Sequence, residues 1–365
     1  MTKTRNYKHM KRIEIILRKL LLRLLIFLYP AKQKDGKIIF NSKSIVLFIR
    51  LNRIGDALVS TPLLKEVKEQ TGCKVFVLAD ANNHFIFEHC PAVDEVIVYK
   101  KGSFNINKLI LGKKINTVVD LHDDVSTTVS LIIIKAKVQN KFGLRKYNQK
   151  IFTKTIERLN PSDHHIIERI MELRKLFGID TDLSKAKVCY ECDKSSIEFA
   201  NDIISRRNLK KRFLLGINIT AGSNARFWGA DNFKKLISEL NKYEINYLIF
   251  TTENKLPDAE NIVDKKYIYP PNKDFDIFAA GISKVDMLFT PDTSVVHIAS
   301  IYKIPVFGLY VKYKTDDMIW KPYSTDFECI ITEEPTLKNV TFNEVQNKFL
   351  PFLEKHLNAK RNTVL

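Results

Sequence analysis

A chain of 365 residues exceeds one ordinary domain and leaves room for two. Hydrophobic residues at 45% and charged residues at 27% fit a globular protein with real cores and exclude a disordered chain. The net charge of +18 is concentrated, because residues 1–43 hold twelve Lys or Arg against Glu14 and Asp35 alone, a net +10. A nucleic-acid binder would interleave cations and aromatics over its folded domains, so this chain is read as having a local anionic partner and no nucleic acid.

Residues 11–29 are apolar but interrupted by charge. Lys8, Arg12, Lys19 and Arg23 are spaced to lie near one face of a helix. Leu17, Leu20, Leu21, Leu24, Leu25 and Leu28 can cover the other, and Pro30 ends the run. Only six apolar residues follow Arg23 without a break, far short of the ~20 that span a bilayer. A signal peptide's small-residue cleavage site is also missing. The expectation is an amphipathic helix whose residues 8–29 rest on an anionic membrane surface. Packing on the protein's own body is the alternative.

From Ser44 the pattern alternates strand and helix. Ile45–Ile49 is a β-branched apolar run suited to a buried parallel strand, followed by a loop through Asp56 and a helix to about Glu69. Lys74–Leu78, Glu95–Tyr99 and Asn116–Leu121 read as strands. A helix is expected in the 120s and 130s, and a long one over 163–177 before Gly178. The pattern restarts with strands Phe213–Ile219, Tyr247–Thr251, Tyr267–Tyr269, Asp286–Thr290 and Pro305–Tyr310. Helices are expected over 231–242, Phe275–Ser283, 295–302 and 341–357. The fold class is α/β, with two doubly wound parallel sheets facing a cleft. The division is a basic segment 1–43, a domain 44–205, a domain 206–340 and a helix 341–365 packing back across them. Cys73, Cys90, Cys189, Cys192 and Cys329 form no disulfide framework, which fits a reducing cytoplasm. Cys189 and Cys192 lie in a strand-like stretch and are read as ordinary strand cysteines.

Three loops carry possible chemistry, each at the carboxyl end of an expected strand. Gly55 allows a tight turn into Asp56, which is either a helix cap or a base that takes a hydroxyl proton. The stretch 218–228 ends a strand in hydroxylated residues, Arg226 and Trp228, suited to phosphate oxygens or to a plain loop. Asp292-Thr293-Ser294 opens a helix with His297 one turn on. Asp274-Phe275-Asp276 precedes a helix and reads as a cap rather than a metal-binding pair. His122-Asp123-Asp124 is an acceptor contact or a polar loop. No P-loop, G-x-G-x-x-G, G-x-S-x-G or H-E-x-x-H occurs.

Taken together, Ile49-Arg50-Leu51-Asn52-Arg53-Ile54-Gly55-Asp56 with Ser60-Thr61-Pro62-Leu63 resembles the opening signature of glycosyltransferase family 9, which contains the ADP-heptose:lipopolysaccharide heptosyltransferases. Pro91–Ile97, Val119–His122, Asp292–Ala299 and Pro305–Leu309 match the family in order, over about residues 44–325. The resemblance implies a GT-B fold and an inverting transfer with no essential metal and no cofactor. The donor would be a nucleotide-sugar, ADP-linked, and the acceptor a lipid-linked glycan at the inner face of the bacterial inner membrane. Asp56 would be the base, with Arg53 and His122 on the acceptor side. Thr220, Ser223 and Arg226 would hold the diphosphate and Glu253 the ribose, with Asp292, Thr293, Ser294 and His297 lining the donor pocket. The chain departs from the family pattern at Ser294, at Gly229 after Trp228, and at Tyr310 after Leu309. Alternatives are a transferase with another sugar donor for surface polysaccharide, or a non-catalytic paralogue that binds a nucleotide or glycan.

Overall fold

The computed structural model describes residues 2–220 and 222–364, and side chains at 14, 16–220 and 222–362. Contacts divide the chain into two compact units. Unit 1 comprises the residues up to Asn160 together with Ile166–Ala186, and unit 2 comprises Pro161–His165 and the residues from Lys187 onward.

Unit 1 begins with helix α1 (Thr2–Leu28) and runs β1 (Ile45–Arg50), α2 (Ile54–Leu58), α3 (Thr61–Thr71), β2 (Lys74–Ala79), α4 (His84–Glu88) and β3 (Glu95–Val98). It continues with α5 (Ile106–Lys113), β4 (Thr117–Asp120), α6 (Thr127–Lys135), β5 (Asn140–Leu144), β6 (Lys154–Ile156) and α7 (Ile166–Met171). The expected long helix over 163–177 is therefore short, and it tightens into 3-10 turns at Glu172–Phe177 before left-handed Gly178. The six strands pair in parallel in the order β3-β2-β1-β4-β5-β6. Leu47 and Ile49 of β1, Leu78 of β2 and Val118 of β4 share one core with Ile106 and Ile110 of α5 and Val129 and Ile133 of α6. Leu22 and Ile26 of α1 join that core, so the last turns of α1 complete the helical layer over the sheet.

Unit 2 runs α8 (Lys194–Arg206), β7 (Phe213–Asn218), α9 (Ala230–Leu240), β8 (Ile245–Phe250), α10 (Leu256–Ile262) and α11 (Phe275–Ile282). Then come β9 (Met287–Pro291), α12 (Val295–Ile301), β10 (Val306–Val311), β11 (Phe327–Thr332) and α13 (Phe342–Val364). Its five strands are also parallel, in the order β11-β10-β9-β7-β8. Ile217, Ile249, Phe289 and Phe307 form a core with Phe233 and Leu236 of α9 and Phe349 and Leu353 of α13. In the described chain α13 packs on β11 and α9 of its own unit.

Several elements differ from the sequence reading. The division of contacts falls at Ala186/Lys187 rather than near 205, because α8 buries Ala200 and Ile204 and packs on α11. The segment Tyr267–Tyr269 gives only an isolated parallel bridge between Ile249 and Ile268. Residues 187–193 form no strand, and Cys192 Sγ lies 3.2 Å from the Tyr302 hydroxyl. All five cysteines are free thiols. Within α1, Leu22 and Ile26 form a narrow buried seam beside the exposed Lys19 and Arg23, while Leu17, Leu20, Leu21, Leu24 and Leu28 are exposed on the other side of the helix. Lys8 and Arg12, two of the four cations expected on one face, lie outside the described side chains.

Candidate active site

In open parallel sheets, ligands bind beyond the carboxyl ends of the strands where strand order reverses. Unit 1 has that reversal between β1 and β4, and unit 2 between β7 and β9. The Asp56 loop leaves β1, His122 follows β4, the 218–228 loop leaves β7, and Asp292-Thr293-Ser294 follows β9. The candidate residues thus fall at both reversal points, with Glu253 after the neighbouring strand β8.

In unit 1 the hub is Arg50, the last residue of β1, which is 2% exposed. Its Nη2 donates to Asp56 Oδ1 at 2.5 Å, its Nε to the Asp56 carbonyl at 3.0 Å and its Nη1 to the Leu121 carbonyl at 2.7 Å. Burial pulls the Arg50 guanidinium below its ordinary range, against the opposing pull of Asp56 and Asp120. Ser60 Oγ also donates to the Asp56 carbonyl, at 2.8 Å. Asp56 is not the cap of α2, since Arg53 holds that position, exposed and without a side-chain cap bond. The Asp56 carboxylate sits within α2, partly exposed and oriented by Arg50. Asn52, in the same loop, has φ +107, a conformation that costs a non-glycine residue about 1–3 kcal/mol.

His122 is buried, with Nδ1 2.9 Å from Asp120 Oδ1 and Nε2 3.0 Å from the Leu51 carbonyl. It therefore ties the end of β4 to the start of the Asp56 loop. Lys146 Nζ donates to Asp120 Oδ2 at 3.0 Å and to the His122 carbonyl at 2.6 Å. Burial alone would raise the Asp120 carboxyl, but Lys146 and His122 outweigh it and hold the group well below the usual carboxylate range. Asp123 pairs with Arg169 at 2.6 Å and with Arg158 at 2.7 Å, so its carboxylate is a structural partner.

In unit 2 the hub is Asn218, the fully buried last residue of β7. Its Nδ2 donates to Thr290 Oγ1 at 3.0 Å and Thr293 Oγ1 at 3.4 Å, and its Oδ1 accepts from Thr220 Oγ1 at 2.8 Å. One side chain thus sets both loops. Arg226 joins them with Nη1 on the Asp292 carbonyl at 3.2 Å and Nη2 on Asp292 Oδ2 at 3.1 Å. Buried Trp228 anchors the far end of the loop, donating to the Val340 carbonyl at 2.8 Å. Ser223 is exposed, as is Glu253, which lies 4.0 Å from Lys273; no hydrogen bond joins either to the Asn218 hub. Asp274 caps α11, whereas Asp276 accepts from the Tyr190 hydroxyl at 2.8 Å and from the Asp193 amide.

The departures from the family pattern are accommodated locally. Ser294 has φ −56, which any residue adopts, so glycine is not required there. Gly229 has φ +107, which excludes proline. The Tyr310 ring is fully buried beside Phe327 and turns back over Gly308, where an added Cβ would lie 2.2 Å from the ring. Tyr310 therefore packs inward.

His297 is 2% exposed, and its Nδ1 has no hydrogen-bond partner among the described residues. Burial, with His165 as a second cause, pulls the imidazole down to about 3, so the ring is neutral and Arg226 supplies the cation of this site. In the unfolded chain the ring takes up a proton near pH 6.5. Stability is therefore full above that pH and is lost progressively as pH falls from 6.5 toward 3. Urea unfolding of His297→Gln should show the penalty from pH 7.5 to 5 reduced by about 2 kcal/mol relative to the parent. Parallel slopes in the two proteins would refute the buried neutral ring.

Residues 104–349 match the model of Glycosyltransferase family 9 (heptosyltransferase). The chain is 23% identical over 219 residues to the lipopolysaccharide core heptosyltransferase OpsX of Haemophilus influenzae. That match covers 58% of this chain and 61% of the relative, so the chain spans less than two thirds of its length. Among solved structures, a family 9 glycosyltransferase from Veillonella parvula superposes with a TM-score of 0.74 at 17% identity, covering 88% of this chain and 100% of that one. E. coli heptosyltransferase WaaC with ADP gives 0.67 at 14% identity, covering 86% and 99%. E. coli ADP-heptose lps heptosyltransferase II gives 0.67 at 17% identity, covering 87% and 99%. These likenesses establish the GT-B fold of two doubly wound sheets. With the family match running over well more than half of its residues, the chain belongs to glycosyltransferase family 9.

Proposed function

We propose that the chain is an inverting glycosyltransferase that moves a heptose-like sugar from an ADP-linked donor to a lipopolysaccharide or other surface-glycan acceptor. The observation that carries this reading is the Asp56 carboxylate, held by Arg50 at the reversal point of the first sheet. The names of relatives support the substrate class, since one structure contains ADP and others are heptosyltransferases.

Asp56 accepts the proton of the acceptor hydroxyl as its oxygen bonds to the anomeric carbon. The bond from that carbon to the diphosphate oxygen breaks, its electron pair leaves with the nucleoside diphosphate, and the anomeric configuration inverts. Arg226 neutralises the leaving charge with charge-assisted hydrogen bonds, so the reading requires no metal. Thr220 and Thr293, fixed by Asn218, offer hydroxyls to the phosphates. Exposed Ser223 and half-buried Ser294 add hydroxyls from the same two loops, Asp292 holds Arg226 until the donor displaces it, and Glu253 reaches the ribose. Arg53 and His122 belong to the acceptor side, His122 by fixing the loop. A lipid-anchored acceptor places the enzyme on the inner face of the bacterial inner membrane. No described helix is long and apolar enough to cross one.

The test is donor binding by thermal shift against ADP-, GDP- and UDP-sugars. We expect stabilisation by the ADP-linked donor, weakened by about 10–100-fold in apparent affinity in Arg226→Ala. No shift with any donor, or an unchanged shift in the variant, would overturn the assignment of this site.

A further inference from the structure

Helix α1 buries a seam and leaves a ridge uncovered. Leu22 and Ile26 are 2% and 6% exposed in the unit 1 core. Leu17, Leu20, Leu21, Leu24, Phe27 and Leu28 are each more than half exposed. At about 100° per residue these six fall within an arc of about 120°, centred opposite the seam. Arg18 lies between ridge and seam on one side, and Lys19 and Arg23 on the other, all exposed. Arg23 stands over the exposed Tyr147 ring, 5.8 Å from its centroid. Eight of the fourteen exposed large hydrophobics of the described chain lie within residues 16–29, so this ridge is a concentration rather than scatter.

The cations select the occupant. A second copy of this face would set the net +10 of residues 1–43 against an equal charge. An anionic bilayer satisfies both features, burying the ridge at the boundary of headgroups and acyl chains and pairing the flanking cations with phosphates. We propose that α1 docks unit 1 on an anionic membrane through the leucine ridge, with Arg18, Lys19 and Arg23 contacting headgroups at its edges. The proposal rests on the membrane-surface reading given above and deepens it: the leucine ridge opposite the buried seam makes the contact. The seam fixes that orientation, because Leu22 and Ile26 prevent α1 from rolling over its own body.

Co-sedimentation of the full chain with vesicles tests it, using phosphatidylglycerol–phosphatidylethanolamine against pure phosphatidylcholine. One variant combines Leu20→Ser, Leu24→Ser and Phe27→Ser; a second combines Arg18→Gln, Lys19→Gln and Arg23→Gln. All six positions are exposed, and thermal melting checks that both variants fold as the parent does. The parent is expected to bind the anionic vesicles. The ridge variant should lose about a hundredfold in partitioning, and the cation variant should lose less and become insensitive to salt. A ridge variant that binds like the parent, beside a cation variant that does not bind, overturns the ridge and leaves headgroup-only membrane contact standing. A parent that ignores every vesicle overturns both. A parent that binds no vesicle and scatters light as a dimer, made monomeric by the ridge substitutions, identifies a second copy as the occupant and overturns the proposal.

Discussion

Replacing Asp56 with asparagine is expected to lower the transfer rate by about 10²–10⁴-fold while leaving donor affinity unchanged. The substitution is close to isosteric, and the amide oxygen still accepts from Arg50 Nη2, so the loop keeps its geometry. Only the capacity to take a proton is removed. Donor affinity is expected to be untouched because Thr220, Arg226 and Thr293, the residues proposed to hold the donor, belong to unit 2. Arg50→Lys should give a smaller loss, since one ammonium cannot replace three donors directed at Asp56 and Leu121. Single-turnover kinetics at saturating donor checks both. A loss under tenfold in the asparagine variant, or one carried by weaker donor binding, removes Asp56 as the base.

Replacing Lys146 with methionine is expected to destabilise unit 1 by about 3–5 kcal/mol near neutral pH. Lys146 is 4% exposed and Asp120 1%, so the variant leaves a buried carboxylate without its cation. It also strips a donor from the His122 carbonyl. The sign with pH follows from Asp120. In the parent its carboxyl is held low, so its contribution is complete above about pH 4 and lost below it. The variant's carboxyl no longer has that support, so the gap between the two proteins narrows as pH falls below 4. Urea unfolding across pH reads this, and a gap that is absent at pH 7 would refute the buried charge cluster. Because His122 bonds the Leu51 carbonyl, the same variant should also loosen the Asp56 loop.

The strands that carry the candidate site were legible because they are buried on both faces. Ile45–Ile49, Phe213–Ile219 and Asp286–Thr290 are nearly continuous apolar runs, and the loops behind them hold the hydroxyls, acids and arginines of the family pattern. Strands β5, β6 and β11 were not legible. Gly143 interrupts β5 because its backbone lies against the Phe152 ring, where a Cβ would come within 2.6 Å. β6 has only three residues, and β11 is a half-exposed edge strand. The helix at 163–177 was read by periodicity, which does not reveal that its second half tightens.

The hubs were the hardest to see. Arg50 and Asn218 each end a strand, where position alone suggests a plain terminal residue. Their roles depend on partners up to 75 positions away, such as Thr293 for Asn218. A buried guanidinium or amide at a reversal point is the signal that would have found them. The buried seam of α1 was hidden for a related reason. Leucines surround the helix, so the pattern cannot tell which two enter the core; packing against α6 decides it.

The reaction we propose is direct, inverting transfer of a sugar from a nucleoside diphosphate to a glycan. The most direct measurement is incubation of the purified chain with ADP-heptose and a lipid-glycan acceptor, following ADP release and the anomeric configuration of the product by NMR. We expect one ADP released for each sugar gained, with the configuration at the new linkage opposite to that of the donor. Retained configuration, or ADP release without sugar on the acceptor, would contradict it.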